Sequence, residues 1–396
     1  MRSTKKYLAP VAAAAVMGLA LAGCAPTEEP GGNEGADLAP VEVSLITSVT
    51  GPLAAYGDAF IHGFNAGWDY VTEGTGTVDG REVNITVSDD GGDADKAVGL
   101  IKDDIGNGVK IFTGTASSGI ALALAEQAAQ NQVLYISGPA AADAITGVNE
   151  YTFRSGRQTK QDVATAGASL DNVSGSTIVV FAQDTAFGQG NAAGVEAVLG
   201  AKGATVSTIL VPEDATDFIP FAQQILQAGA DLVFVAWAGA NSGAMWQALQ
   251  QQGVFEQLPV VTGLGDVATY NAFGDASADI SFLNHYFAGA TDNAENKALI
   301  AYLEAEGKVA DLFSPDGFNA AVMVAQAIRT GGADVDVAAM IDGLEGFTFK
   351  GPKGDMEIRA SDHAMLQDMF QARLVKDGDN WVPELIAVAP AADVAP

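Results

Sequence analysis

Cysteine occurs once in these 396 residues, at Cys24. A single thiol excludes an intramolecular disulfide and a zinc site built on cysteine pairs. Basic residues are scarce: 19 Lys and Arg stand against 49 Asp and Glu, a formal charge of −30. A nucleic-acid binder needs a basic face for phosphates, and anionic lipid headgroups would repel this surface. The three histidines, His62, His285 and His363, lack metal-pair spacing, so no metal or cofactor is expected. The sequence has no G-x-S-x-G elbow and no G-x-x-x-x-G-K-[ST] phosphate loop. G-x-G-x-x-A occurs at 188–193 and 263–268, but in a chain with 46 Gly such matches arise easily. No nucleophile, acid and base set can be named, so an enzyme is not expected.

What is present begins at the N-terminus. Arg2, Lys5 and Lys6 precede an apolar run at 8–21, too short for a comfortable bilayer crossing. Leu21-Ala22-Gly23-Cys24 follows. This is the layout of a secretory signal, and its ending resembles the bacterial lipobox, with cleavage before Cys24 and lipid on Cys24. Residues 24–40, rich in Pro, Gly and Glu, read as a disordered tether. The expected place is therefore the cell envelope, lipid-anchored on the outer face of the cytoplasmic membrane or on the periplasmic side.

From residue 41 apolar runs alternate with helical patterns. Strands are expected at 41–47, 83–88, 110–113, 133–137, 177–182, 205–211, 232–236, 259–262 and 281–287. Helices are expected at 58–71, 95–107, 118–131, 161–170, 190–201, 219–227, 243–252, 294–306, 315–330 and 335–344. Runs such as IVVF and LVFVAW suit strands covered on both faces. Phe60, Phe64, Trp68 and Val71 share one helix face, which makes Trp68 a core residue. Alternation on this scale means an α/β protein with parallel sheets, and the number of units exceeds one sheet. The acidic run 89–95 lacks the spacing and closing Glu of a calcium loop and reads as a solvated strand-to-helix turn.

In open α/β sheets ligands bind beyond the carboxyl ends of the strands. The first such loop, 50–57, ends in Tyr56-Gly57 and can project Tyr56 over a cleft. The third, 114–119, brings Ser117 and Ser118 to a helix start, where unpaired amides favour a carboxylate. The fourth, 138–143, offers main-chain groups to the same cleft. A lone serine there would merely cap its helix; three loops on one sheet edge point to a site.

TSVTGPLAAYGDAFIHGFNAG (47–67), DDGGDADKAV (89–98), FTGTASSGIALA (112–123), VLYISGPAA (133–141) and FAQDTAFGQGNAAGVEAVL (181–199) resemble the branched-chain amino acid-binding proteins. So do GADLVFVAWAGANSGAMWQALQQQG (229–253) and FKGPKGDMEIRASDHAMLQDMFQARL (349–374). The resemblance spans 41–388. It implies the two-lobed type I periplasmic-binding fold: two parallel sheets flanked by helices, joined by three crossover hinge strands. It places crossings near 154–156, 287–289 and 350–353. Lobe one is then 41–155 and 288–350; lobe two is 156–287 and 351–390.

The resemblance further implies an extracytoplasmic solute-binding lipoprotein, a monomer, that captures an amino acid between closing lobes and delivers it to an ABC permease. Ser117 or Ser118 would hold the ligand carboxylate, helped by amides around Ala140 and Ala142. Tyr56 would cover the ligand from lobe one. Phe187, Trp237, Ala238 and Asn241 would form the wall of lobe two. Two positions depart from the family: Ala142 replaces a Thr, and Gly265 stands near a Glu that pairs with the ammonium. Asp266 is the expected substitute. Without it, the same class of protein would bind an aromatic or aliphatic organic acid, and Arg154 or Arg157 near the first crossing could hold its charge or form an interlobe ion pair. A ligand sensor without transport is the remaining alternative.

Overall fold

The computed structural model describes residues 38–167, 172–239, 241–263, 265–278 and 280–395. The expected signal sequence, Cys24, most of the expected tether and the end of the helix expected at 161–170 lie outside them. The described strands are β1 (Val41–Thr47), β2 (Thr77–Val78), β3 (Arg81–Asp89), β4 (Ile111–Gly114), β5 (Leu134–Ser137), β6 (Thr152–Arg154), β7 (Thr177–Gln183) and β8 (Thr205–Val211). They continue with β9 (Leu232–Ala236), β10 (Val260–Gly263), β11 (Ile280–Asn284), β12 (Thr348–Gly351), β13 (Gly354–Ile358), β14 (Met365–Leu366), β15 (Met369–Asp377) and β16 (Asn380–Ala389). The helices are α1 (Ala54–Val71), α2 (Ala94–Gly106), α3 (Ser118–Asn131), α4 (Thr159–Gly167), α5 (Ala186–Val198), α6 (Ile219–Gln227) and α7 (Ser242–Gln251). After these come α8 (Val254–Gln257), α9 (Ala294–Ala305), α10 (Ser314–Gly331), α11 (Val337–Leu344) and α12 (Ala391–Val394).

Two sheets organise the chain. The first has the order β2-β3-β1-β4-β5-β6, and the second β16-β15-β11-β10-β9-β7-β8. From β3 to β6 and from β8 to β11 all pairings are parallel. Helical crossovers cover both faces of such strands, which explains the continuous apolar runs of β7 and β9. The parallel ladders place the carboxyl ends of these strands on one edge of each sheet, and those edges supply the loops of the site.

Each lobe has its own core. Val43, Phe60, Phe64, Ile136 and Met323 pack in the first lobe; Phe181, Val235, Trp246 and Phe282 pack in the second. Trp68 belongs to the first core, 9% exposed. Helices α1 and α10 meet backbone to backbone. A Cβ on Gly63 would lie 2.0 Å from the Ser314 carbonyl oxygen, and one on Gly317 would lie 2.1 Å from that of Phe60. Glycine is the residue that permits this approach, which sets the start of α10, and Phe313 with it, against Tyr56.

The chain passes three times between the lobes: from β6 to α4, from β11 toward α9, and from β14 to β15. The third passage falls later in the chain than 350–353. Strands β12–β14 form a separate antiparallel sheet whose Met356, Ile358 and Met365 are buried in the first lobe's core. The chain enters the second sheet at β15, antiparallel to β11. Apolar side chains of 356–365 have their partners in the first lobe, and this puts the segment there.

Candidate functional site

A cavity of about 500 Å³ lies between the two sheet edges. Loops after β1, β4 and β5 form one wall; loops after β7, β9 and β10 form the other. The start of α4 and the residues before α10 form the floor. A volume of this order suits a small molecule.

The first wall is rich in hydrogen-bond donors. Ser117 caps α3, its Oγ accepting from the Ile120 amide at 3.5 Å. Ser118 Oγ accepts from the Ala142 amide at 3.2 Å. Neither hydroxyl donates to an acceptor among the described residues, and both residues line the cavity. The first amides of α3 have no intrahelical acceptor and carry the positive end of the helix dipole. Ala140 and Ala142 lie behind this wall. Their amides donate to the Thr115 carbonyl and to Ser118 Oγ, while Pro139 and Ala141 line the cavity.

Tyr56 lines the cavity at the start of α1, its ring 4.8 Å from that of Phe313, edge to face. Burial pushes its hydroxyl up to about 12, against the pull of the Gly239 amide across the cleft. Gly239 also packs on Pro52, since a Cβ there would lie 3.4 Å from the Pro52 carbonyl oxygen. These contacts describe a closed cleft.

The second wall is aromatic and internally tied. Phe187 stands in the first turn of α5, where Thr185 caps the helix by accepting from the Gly188 amide at 3.2 Å. Trp237 Nε1 donates to Asn241 Oδ1 at 3.0 Å, and Gln183 Nε2 donates to the same oxygen at 3.3 Å. The Ala238 amide donates to Gln183 Oε1 at 3.1 Å. Trp237, Ala238 and Asn241 all line the cavity. The Asn241 side chain is occupied in fixing the indole plane.

The floor carries charge. Arg157 is 7% exposed; its Nη1 donates to the Pro139 carbonyl at 2.8 Å, and its Nε lies 3.2 Å from Asp162 Oδ2. The guanidinium sits 5.5 Å above the Phe313 ring. Its only hydrogen bond among the described residues is the one from Nη1, and the residue lines the cavity. Burial pushes the Asp162 carboxyl up, against the pull of Arg157. His285 also lines the floor; burial, helped by Arg157 and Lys353, holds its ring well below the usual range, so it is neutral at pH 7. Asp184 and Glu213 line the cavity but are solvent-exposed.

Two further residues expected from the sequence lie off the cavity. Arg154 donates to the carbonyls of Ala140, Ala142 and Arg157, so it braces the loop after β5 and the first crossing. Asp266 Oδ1 accepts from the Thr269 amide at 3.0 Å and caps a 3₁₀ stretch, Val267–Ala278; Gly265 is the cavity residue instead. Asp162, His285 and Phe313 were not anticipated. One signal was available: Arg157 and Asp162 are oppositely charged residues flanking a helix start in an otherwise uncharged stretch, 158–165 apart from Lys160.

Residues 40–379 match the periplasmic binding protein family. The chain belongs to that family. A Leu/Ile/Val-binding protein of Rhizobium johnstonii is 25% identical over 311 residues, 78% of this chain and 84% of the relative. The crystal structure of an ABC-type branched-chain amino acid transporter protein from Rhodopseudomonas palustris is 30% identical, with a TM-score of 0.73 over 89% of this chain and 97% of that one. A solute-binding protein from the same species, in complex with 4-hydroxybenzoate, shares the fold at 21% identity, with a TM-score of 0.80 over 89% and 97%. Within the family, the chain is a solute-binding protein of the ABC-transporter kind, and this family is one of binding proteins and not enzymes. Its members act outside the cytoplasm, and no described helix is long and apolar enough to cross a membrane.

Proposed function

We propose that this protein captures a small organic carboxylate with an apolar, aromatic-compatible body and delivers it to an ABC permease. Donor-bearing residues on the cavity carry this reading: Ser117 and Ser118, the α3 N-terminus and Arg157. The one enclosed carboxylate on the cavity, Asp162, is already paired with Arg157 among the described residues. An unpaired ammonium buried there would be costly. Tyr56, Phe187, Trp237 and Phe313 supply apolar faces for the body of the ligand. Contacts to both walls favour the closed form, and closure offers the permease a surface that the open form lacks.

The second reading is an amino acid, as the names of the relatives suggest. The observation that favours it is Asp162 on the cavity floor, where one carboxylate shared between Arg157 and a ligand ammonium would serve. Asp266, engaged with Thr269, is a poorer partner. We place the protein at the outer face of the cytoplasmic membrane, held by a lipid on Cys24 and the acidic tether after it, as a monomer.

A thermal-shift screen of the chain from Ala36 onward separates the readings, because a ligand that binds only the folded form raises the melting temperature. Benzoate, hydroxybenzoates and branched aliphatic acids are expected to raise it while leucine, isoleucine and valine leave it unchanged. Shifts with the amino acids alone would replace the first reading with the second.

A further inference from the structure

The acidic turn after β3 reads from sequence as a solvated connection, yet Asp90 within it is fully buried. No cation pairs with it among the described residues. Its partners come from three separate loops. Asp90 Oδ1 accepts from Ser48 Oγ at 2.6 Å, in the loop after β1, and from the Gly92 amide at 2.8 Å, in its own turn. Asp90 Oδ2 accepts from Thr115 Oγ1, in the loop after β4. Ser48 and Thr115 are themselves fully buried.

Neighbouring bonds extend the arrangement. Asp89 Oδ1 accepts from the amides of Val49, Thr50 and Gly91 at 2.8, 3.0 and 2.9 Å. Hydrogen bonds from Thr50 hold the Asp89 carboxyl below the usual carboxylate range. Gly51 packs against the Gly91 carbonyl, since a Cβ there would lie 2.8 Å from that oxygen. The Thr115 carbonyl in turn accepts from the Ala140 amide at 3.2 Å. The side chains of Ser48, Thr50, Asp89, Asp90 and Thr115 do not line the cavity, but Gly92 does, as do Pro52, Leu53, Ala116, Ser117 and Ser118, one to four positions further along.

We infer that Asp90 is a positioning residue for ligand capture: it locks the loops after β1, β3 and β4 into one rigid unit that aims the α3 N-terminus and Tyr56 at the ligand. The inference stands apart from the identity of the ligand. A carboxylate suits the task because it accepts three hydrogen bonds and donates none, so every donor converging on it is satisfied. Asparagine keeps the same shape. Its Oδ1 would still accept from Ser48 and Gly92, and its Nδ2 would face Thr115 Oγ1, a hydroxyl that can turn to accept. Alanine would leave two hydroxyls and an amide without a partner.

The test compares Asp90→Ala, Asp90→Asn and the wild-type full chain by amide hydrogen exchange without ligand, and by calorimetric titration with benzoate and L-leucine in parallel. In Asp90→Ala, exchange over 115–119 and 48–53 is expected to quicken about tenfold or more, while β7 and β9 exchange as in the wild type. Affinity for whichever probe binds the wild type is expected to fall about 30-fold or more. Asp90→Asn should keep wild-type exchange and stay within about threefold in affinity. The inference is overturned by unchanged exchange in Asp90→Ala, by quickening throughout the lobe, by wild-type affinity in Asp90→Ala, or by an Asp90→Asn protein as defective as Asp90→Ala. Should neither probe bind the wild type, neither is the ligand, and the exchange data still decide the role of Asp90.

Discussion

Arg157→Met removes the one cationic side chain on the cavity floor and exposes two separable effects. The first is affinity. A hydrogen bond between a guanidinium and a ligand carboxylate contributes about 1.5–3 kcal/mol, so its loss weakens binding about 10- to 150-fold. The second is stability. Asp162 is 4% exposed, and without Arg157 it becomes a buried charge lacking its ion-pair partner. Breaking a buried pair from one side costs about 3–5 kcal/mol. At about 2.1 cal/mol/K per residue over this folded chain, that lowers the melting temperature by about 4–7 °C. The loss has a pH signature. Burial already raises the Asp162 carboxyl in the folded state, and removing Arg157 raises it further. An acid raised on folding costs nothing below its unfolded value near 3.8, and the cost grows as pH rises toward the folded value. The deficit of Arg157→Met should therefore be small near pH 4 and full near pH 8. Adding Asp162→Asn should recover most of the melting temperature, since no buried charge is then stranded, but not the affinity. Calorimetric titration with the acid that gave the largest thermal shift, beside thermal melts at both pH values, reads all four quantities. Affinity within threefold of wild type in the double variant would refute the assignment of Arg157 to the ligand.

Asp162→Asn alone discriminates the ligand classes: binding of a simple carboxylate should hold or strengthen as Arg157 is released, whereas an amino acid ligand would be lost by well over tenfold on titration. Asp266→Asn should change affinity by no more than about twofold, because Thr269 is its partner; a large loss would restore Asp266 as an ammonium partner. Tyr56→Phe removes the hydroxyl facing the Gly239 amide across the closed cleft. A hydrogen bond of about 0.5–1.5 kcal/mol predicts roughly 2- to 12-fold weaker binding, seen in stopped-flow as faster dissociation. Asp316, fully buried and without a hydrogen bond to its carboxylate among the described residues, is raised to about 7, chiefly by burial. Its folded value lies above its unfolded one, so it withdraws stability as pH rises from about 4 to 7. Asp316→Asn should flatten the fall in melting temperature over that window, and an unchanged slope would count against the shift.

Legibility from sequence followed how locally each feature is encoded. Strands β1, β8 and β9 were readable to the residue: β9 is apolar and buried throughout, while β1 and the edge strand β8 are runs rich in β-branched residues. The hairpin of β15 and β16 escaped. Its antiparallel edge carries mixed polarity, and a register shift between Gln371 and Ala372 interrupts the alternation that would mark it. The third passage between lobes was misplaced for a related reason: only packing shows that Met356 and Met365 belong to the first core. Within the site, Tyr56, Ser117, Ser118, Phe187, Trp237 and Asn241 lie on the loops or first helical turns that follow strands, so topology alone takes them to the cavity. Arg157, Asp162, His285 and Phe313 reach it from two interlobe passages and a helix start, segments distant in sequence that only the closed two-lobed fold brings together. The residues that tie the two lobes are thus also those that set the charge of the cavity floor. On the proposed reading, ligand charge and lobe closure would be coupled: an anion that pairs with Arg157 would stabilise the passage on which closure turns, and a ligand without that charge would gain no such hold on the hinge.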